Sequence, residues 1–233
     1  TIPLFYEFRD DKVTSQPASI KGTYLDNFKN VWDLYTTDSA TTGAALTTAT
    51  GDASEAEFGQ GKAVFYQNGS WEYANLTGEE KGFKMNPEDL AMIPIYCGVE
   101  GEEQSGLCCG TENCWAVNAK ASAEDIQATL DFMYWLVTDA EVSRMLVDEF
   151  AVMPYKQAAE STCGFLADAN AYAAEGNYVM PWVTNFQPNV DAYREAIVAA
   201  MNQYDNDPTD ANWEQVKTAF VDGWAVQYAA ANG

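Results

Sequence analysis

Histidine is absent from all 233 residues, and that lack removes a large share of catalytic chemistry. The commonest general base and the commonest zinc ligand are both gone. A Ser-His-Asp or Cys-His machine cannot be assembled within this chain. Positive charge is also scarce: 12 Lys and Arg stand against 35 Asp and Glu, for a net charge of −23. Phosphate backbones and anionic membranes are repelled by such a surface, so no nucleic-acid partner is expected. No apolar run reaches the ~20 residues that span a bilayer. A signal-peptide pattern is missing too, and the chain opens on TIPLFYEFRDD with no Met. It reads as a mature product or as a piece cut from something longer.

What is present is a globular composition. Hydrophobic residues make up 47% and aromatics 13%, which excludes disorder and supplies a sizeable core in one large or two small domains. Four of the five cysteines (Cys97, Cys108, Cys109 and Cys114) fall within 18 residues, and Cys163 stands apart. The gaps of eleven, one and five fit structural zinc badly, because zinc sites favour paired C-x-x-C spacings. A loop disulfide within Cys97–Cys114, in an oxidising compartment, is the better account. Its connectivity is open, and an odd count leaves one thiol free or paired between chains.

Acidic runs raise the question of calcium. Glu100, Glu102 and Glu103 form one, and Asp205, Asp207 and Asp210 another. Neither carries the loop pattern of an EF-hand, so solvated loops and a helix cap at Thr209 or Asp210 explain them. No metal site and no cofactor are expected.

Periodicity sets the coarse organisation. Leu25, Phe28, Val31, Trp32 and Tyr35 have helical spacing. A short helix is expected over SEAEFGQG, stopping at glycine. Ser122 with Asp125 resembles a capping box and opens a helix to about Thr138, with Ile126, Leu130, Tyr134 and Val137 on one stripe. Further helices are expected at about 140–149, 164–174 and 189–203. In the last helix Trp213, Val216, Phe220, Trp224 and Tyr228 share a face. Strands are expected at 2–8, in KAVFYQ (62–67), in LAMIPIY (90–96) and in CWAVNA (114–119). VMPY (152–155) and YVMPWVTNFQPN (178–189) read as extended. Helices alternating with single short strands indicate an α/β class. On their helical stripes, Trp32, Trp135, Trp213 and Trp224 read as core.

One stretch does not fit a pure packing role. FYQNGSWEY places Trp71 directly behind a turn of small polar residues, after a strand-like segment. The longer GKAVFYQNGSWEY resembles the G-x-x-A-M-x-x-x-G-x-W stretch of extracellular solute-binding proteins of bacterial ABC transporters, the maltose-binding-like group. Three more segments follow in the same order. ENCWAVNAKASAEDIQATLDFMYWLVTDAEVSRMLVDEFAVMPYK resembles the group's strand and helix pair. GNYVMPWVTNF resembles its Met-Pro pocket segment. QPNVDAYREAIVAAM and the final helix resemble its C-terminal end. The resemblance runs over residues 58–233.

That resemblance implies a type II periplasmic-binding-protein fold, of which this chain supplies mostly the C-terminal lobe, helix-rich with short strands. It implies three segments. Residues 1–112 would be part of that lobe with the ligand-facing strand-turn-helix. Residues 113–153 would be a strand and helix pair packing on an N-terminal lobe, and 154–233 the remainder. It implies no catalysis, a carbohydrate ligand, an ABC permease partner and a missing N-terminal lobe. Self-association is a further expectation, because the apolar helix near 122–138 lacks cover. The expected location is the extracellular face of the cell membrane, as a lipoprotein in the full-length parent, or the periplasm.

Sugars present apolar faces that stack on aromatic rings, and hydroxyl belts that amides and carboxylates bind. Trp71 and Trp182 take the positions that face the cleft in the family, against plain core packing as the competing account. Asn68, Glu112, Asn113 and Gln187 are the expected polar contacts; Glu72, Trp115 and Asn185 are lesser candidates, and Tyr66 is as well explained by burial. Two other functions compete. A glycoside hydrolase fragment needs two opposed carboxylates, for which Glu72 and Glu112 are candidates. A stand-alone carbohydrate-binding module needs only the aromatic platform. Amino acid and peptide ligands stay open.

Overall fold

The computed structural model describes residues 2–110, 114–149, 158 and 160–233. The expected extended stretch at 152–155 lies outside them. Ten α-helices and one two-stranded sheet are found among the described residues, a helix-rich mixed α/β arrangement. The chain divides into two compact units, and each is described by itself.

The first unit takes residues 1–51, 94–110 and 179–233. It opens with α1 (Ile2–Asp11), where a strand is expected from sequence. The run Ile2–Phe8 is apolar nearly throughout, and such a run does not distinguish a buried strand from a buried helix. Pro3 sits near the start of the helix, where its missing N–H costs nothing. Leu4, Phe5, Tyr6 and Phe8 are all buried. Glu7 is buried with them, and its carboxylate accepts the Lys21 and Thr23 backbone N–H groups at 2.6 and 2.9 Å.

Helices α2 (Leu25–Tyr35), α9 (Val190–Asn206) and α10 (Asp210–Asn232) form where the periodicity places them. Thr209 caps α10 by accepting the Asn212 N–H. Trp213, Val216, Phe220 and Trp224 line its buried face. Tyr193 of α9 sets its ring edge-on to Trp224 at 5.5 Å and donates its hydroxyl to the Phe220 carbonyl at 2.8 Å. The Trp224 indole N–H donates to the Pro17 carbonyl at 2.8 Å, so the ring is buried without an orphaned donor. Trp32 is half-buried and donates to Asp205 at 2.7 Å. These three helical tryptophans are packing residues, as their spacing indicates. A single-turn helix, α3 (Ala44–Thr47), precedes the first unit boundary.

The sheet pairs β1 (Ser105–Cys108) with β2 (Tyr178–Met180). Neither Ser, Gly nor Cys signals a strand, so β1 reads as loop from sequence. Its pairing comes from a segment some seventy residues away, and the Cys109 N–H adds a bond to the Met180 carbonyl at 3.0 Å.

The second unit takes residues 52–93 and 111–178. It holds α4 (Gly51–Gly59, all but its first residue), α5 (Glu72–Thr77), α6 (Ala123–Thr138), α7 (Ala140–Asp148) and α8 (Gly164–Ala174). Leu76, Cys163, Phe165 and Leu166 form its core, ringed by Phe58, Tyr73, Phe83, Met85, Leu90 and Met92. The strands expected at 62–67, 90–96 and 114–119 do not form. Val64 and Phe65 are 82% and 72% exposed, so KAVFYQ is not a buried strand. Residues 90–93 are extended but held by a side chain instead of a ladder: the Asp168 carboxylate on α8 accepts the Met92 N–H at 2.7 Å. Apolar content alone does not supply a pairing partner.

Helix α6 starts as expected, with Ser122 accepting the Asp125 N–H at 3.1 Å. None of its residues is buried. Trp135, read from sequence as core, is 45% exposed, and Leu130, Phe132 and Tyr134 are exposed beside it. The stripe is real, but within this unit α6 packs chiefly against α7, leaving apolar surface on more than one side.

Candidate functional site

The Asn68-Gly69-Ser70-Trp71 turn sits at the entry to α5 in the second unit. The Asn68 side-chain oxygen accepts the Gly69 N–H at 2.9 Å, and the Gly69 carbonyl accepts the Glu72 N–H at 3.1 Å. This is the local turn chemistry that Asn supports through its own side chain. Trp71 then folds back over Gly69. A Cβ on Gly69 would lie 2.3 Å from two atoms of the indole, so only glycine leaves room for the ring. The indole is nevertheless 55% exposed.

Beside it is a cavity of about 70 Å³ lined by Ser70, Trp71, Tyr73, Ala74, Asp148, Glu149 and Cys163. That volume is about two waters' worth of liquid, too small for a whole sugar ring. Asp148 already accepts from the Thr162 hydroxyl at 3.3 Å and lies 3.8 Å from Arg144.

The polar groups behind the turn form a chain. The Asn68 amide donates to the Tyr66 phenol oxygen at 2.5 Å, and the Tyr66 hydroxyl donates to Glu72 at 3.5 Å. Glu72 also accepts from Asn75 at 3.5 Å. Tyr66 stacks on Phe58 of α4 at 5.4 Å. One turn earlier on α4, Glu55 is buried; one of its oxygens meets Lys81 at 3.2 Å and the other has no partner. Burial pushes the Glu72 carboxyl above the ordinary glutamate range, and the charge of Glu55 pushes it further. Burial raises the Tyr66 phenol as well. Glu72 therefore faces inward as part of this cluster and does not line the cavity beside Trp71.

Trp182 belongs to the first unit and repeats the glycine arrangement. A Cβ on Gly110 would meet its ring at 2.3 Å. Trp182 is half-buried, and Asn185 is exposed. Gln187 is buried, and its side-chain oxygen accepts from Arg194 at 3.3 Å. Trp115, in the second unit, is 60% exposed. Glu112 and Asn113 lie outside the described residues.

Cys97 and Cys163 are buried, Cys108 and Cys114 exposed, and Cys109 intermediate. The disulfide expected within Cys97–Cys114 is not present in the structure. Burial pushes the Cys97 thiol up to about 12, with the Glu102 charge adding to it. Glu102 itself accepts the Cys97 and Gly98 N–H groups at 2.7 and 2.6 Å. It acts as a loop brace, as a solvated acidic run can. No group of three or more acidic or cysteine side chains suited to a metal occurs among the described residues.

Two residues escaped the sequence reading. Gly69 is the floor beneath Trp71, a role that its place in a polar turn does not announce. Glu55 lies on the short helix expected over SEAEFGQG and is buried. Its signal was the spacing to Phe58, three residues on and on the same helical face.

The pattern of the bacterial extracellular solute-binding proteins fits residues 6–162. That span overlaps the resemblance drawn over 58–233, but starts earlier and stops sooner. No curated protein and no solved structure matches the chain.

Proposed function

We propose that this chain, which belongs to the bacterial extracellular solute-binding protein family, carries a carbohydrate to an ABC permease. Solute binding for transport is the family's role, and the carbohydrate and the importer are our reading. The observation that carries it is the Trp71 indole: an exposed ring seated on glycine, beside a small cavity. An aromatic face held open to solvent suits the C–H face of a sugar. The Asn68 side chain stands in the same turn. Trp182, similarly seated on Gly110, is the second proposed stacking ring. Gln187, Glu112 and Asn113 remain proposed polar contacts, with Gln187 needing to leave Arg194 first.

We further assign the chain to the outer face of the cell membrane or to the periplasm, with a lipid anchor in the full-length parent. The type II fold, the C-terminal-lobe segments ending at 112, 153 and 233, and the need for an N-terminal lobe belong to the same proposal. It involves no catalysis: the inward-facing Glu72 is engaged with Tyr66 and Asn75. A calorimetric screen of mono- and oligosaccharides, amino acids and short peptides against the 233-residue chain tests the reading. Sugar binding that weakens in Trp71→Ala supports it. Binding of an amino acid or peptide alone, or sugar binding indifferent to both Trp71→Ala and Trp182→Ala, overturns it.

A further inference from the structure

The contacts behind Trp71 run without a break from the buried Glu72 carboxylate to the exposed ring. Glu55 and Glu72 are 5% and 8% exposed, and the cation beside them is Lys81, paired with Glu55. One Glu55 oxygen is buried with no hydrogen-bond partner. Two buried carboxylates with one ammonium carry one uncompensated negative charge, and a proton is the smallest group that can neutralise it. Glu72 accepts from Tyr66, Tyr66 accepts from Asn68, Asn68 accepts from the Gly69 N–H, and Gly69 supports the Trp71 ring.

We propose that the protonation state of Glu72 sets the position of the Trp71 ring, through Tyr66, Asn68 and Gly69. With Glu72 ionised, the donors point one way: Asn68 to Tyr66, then Tyr66 to Glu72. A proton on Glu72 turns an acceptor-only group into one that also donates. The Tyr66 hydroxyl then loses its charged acceptor, and the Asn68 amide loses a fixed partner. Because the Asn68 side chain also holds the Gly69 N–H, the turn loosens beneath the indole. The groups acting on Glu72 are Glu55 from α4, Lys81 from the segment after α5, Asn75 one turn along α5, and Tyr66; Asp52 acts on Lys81. The raised Glu72 carboxyl places the transition above the ordinary glutamate range. If Trp71 is the ligand platform, as proposed above, ligand is held more weakly in acid.

The test needs no ligand, so it stands apart from the question of what binds. The full chain is labelled with 5-fluorotryptophan, and the Trp71 ¹⁹F resonance is identified by its loss in Trp71→Phe. Acid titration is expected to shift this resonance in one sigmoidal step that the other six tryptophans do not share. The step is expected to vanish in Glu72→Gln and in Tyr66→Phe, which keeps the stack on Phe58 and removes only the hydroxyl. A Trp71 resonance that does not titrate apart from the others, or that titrates alike in Tyr66→Phe, overturns the proposal. Failure of every sugar to bind would leave this result unchanged, and would count against the carbohydrate reading alone.

Discussion

The Trp71 indole rests on Gly69 with no space for a single added carbon. A Trp directly behind an Asn-Gly-Ser turn therefore has a steric account. The glycine lets the ring fold back on its own turn, which fixes the ring while leaving much of it in solvent. Gly69→Ala should displace the indole. The Gly69 φ is not among the positive values of the chain, so the backbone tolerates Ala and the effect is confined to the ring. Near-UV circular dichroism should change while the unfolding free energy moves by under about 1 kcal/mol.

Truncation of the two proposed stacking rings should separate stability from binding. Trp71 is exposed, so Trp71→Ala should leave the thermal midpoint nearly unchanged. Trp182 is half-buried against Gly110, so Trp182→Ala should lower it. Either change should weaken sugar binding by roughly 1–3 kcal/mol, the value of burying a large apolar face. Calorimetry on both variants, beside thermal denaturation, checks the pair of expectations.

Glu72 gives a stability prediction with a definite sign. Its carboxyl is raised in the folded chain, so the native state binds more protons than the unfolded state between the two values. The contribution to stability is largest below the ordinary glutamate range and declines as pH rises through the folded value. It stays low at neutral pH. Glu72→Gln should therefore be more stable than the parent at pH 7, by on the order of 1 kcal/mol. Its urea midpoint should also vary less between about pH 4 and 7.

Helices α2, α6, α9 and α10 were legible because their apolar residues recur at helical spacing, and Ser122 and Thr209 cap as their side chains permit. The short apolar runs were not. Ile2–Phe8 satisfies strand and helix equally, and burial on all sides decided for the helix. At 90–93 the deciding partner is a single carboxylate, Asp168, placed on a helix far along the chain. No local pattern announces such a bond. For the same reason the link from Glu55 to the turn, and the seat that Gly69 gives the ring, could not be picked out from sequence, although Trp71 could. The link depends on α4 meeting Tyr66 in three dimensions.

The cysteines should react in the order of their exposure. Cys108 and Cys114 should label first with a maleimide at neutral pH, and Cys97 and Cys163 last. The Cys97 thiol, raised to about 12, holds almost no thiolate under those conditions. We still propose one bridge among Cys97, Cys108, Cys109 and Cys114 in oxidising surroundings, with Cys97 the slowest to join it. A bond between the adjacent Cys108 and Cys109 is the least favoured pairing. Mass spectrometry of material exported to an oxidising compartment checks this: four free thiols in that loop would refute it.

Helix α6 makes the last prediction. Leu130, Phe132, Tyr134 and Trp135 are 45%, 55%, 70% and 45% exposed. Phe132 and Trp135 touch each other at 5.8 Å, and Leu130 and Tyr134 follow one another a turn apart on another side. A helix apolar on two sides expects cover on two sides, and a contiguous patch of that kind is rarely left in water. We propose that two copies of the chain cover each other through this helix. The acidic Glu124, Asp125 and Asp131 on the same helix oppose that pairing, and α6 has no basic residue to offset them. Association should therefore strengthen with salt, which screens like charges and leaves apolar burial intact. Light scattering on the 233-residue chain at tens of micromolar should show a dimer whose share grows from low to physiological ionic strength. Trp135→Glu should return it to monomer with α6 still helical, since no residue of α6 is buried in the fold. A monomer at all ionic strengths would show that α6 is covered in some other way.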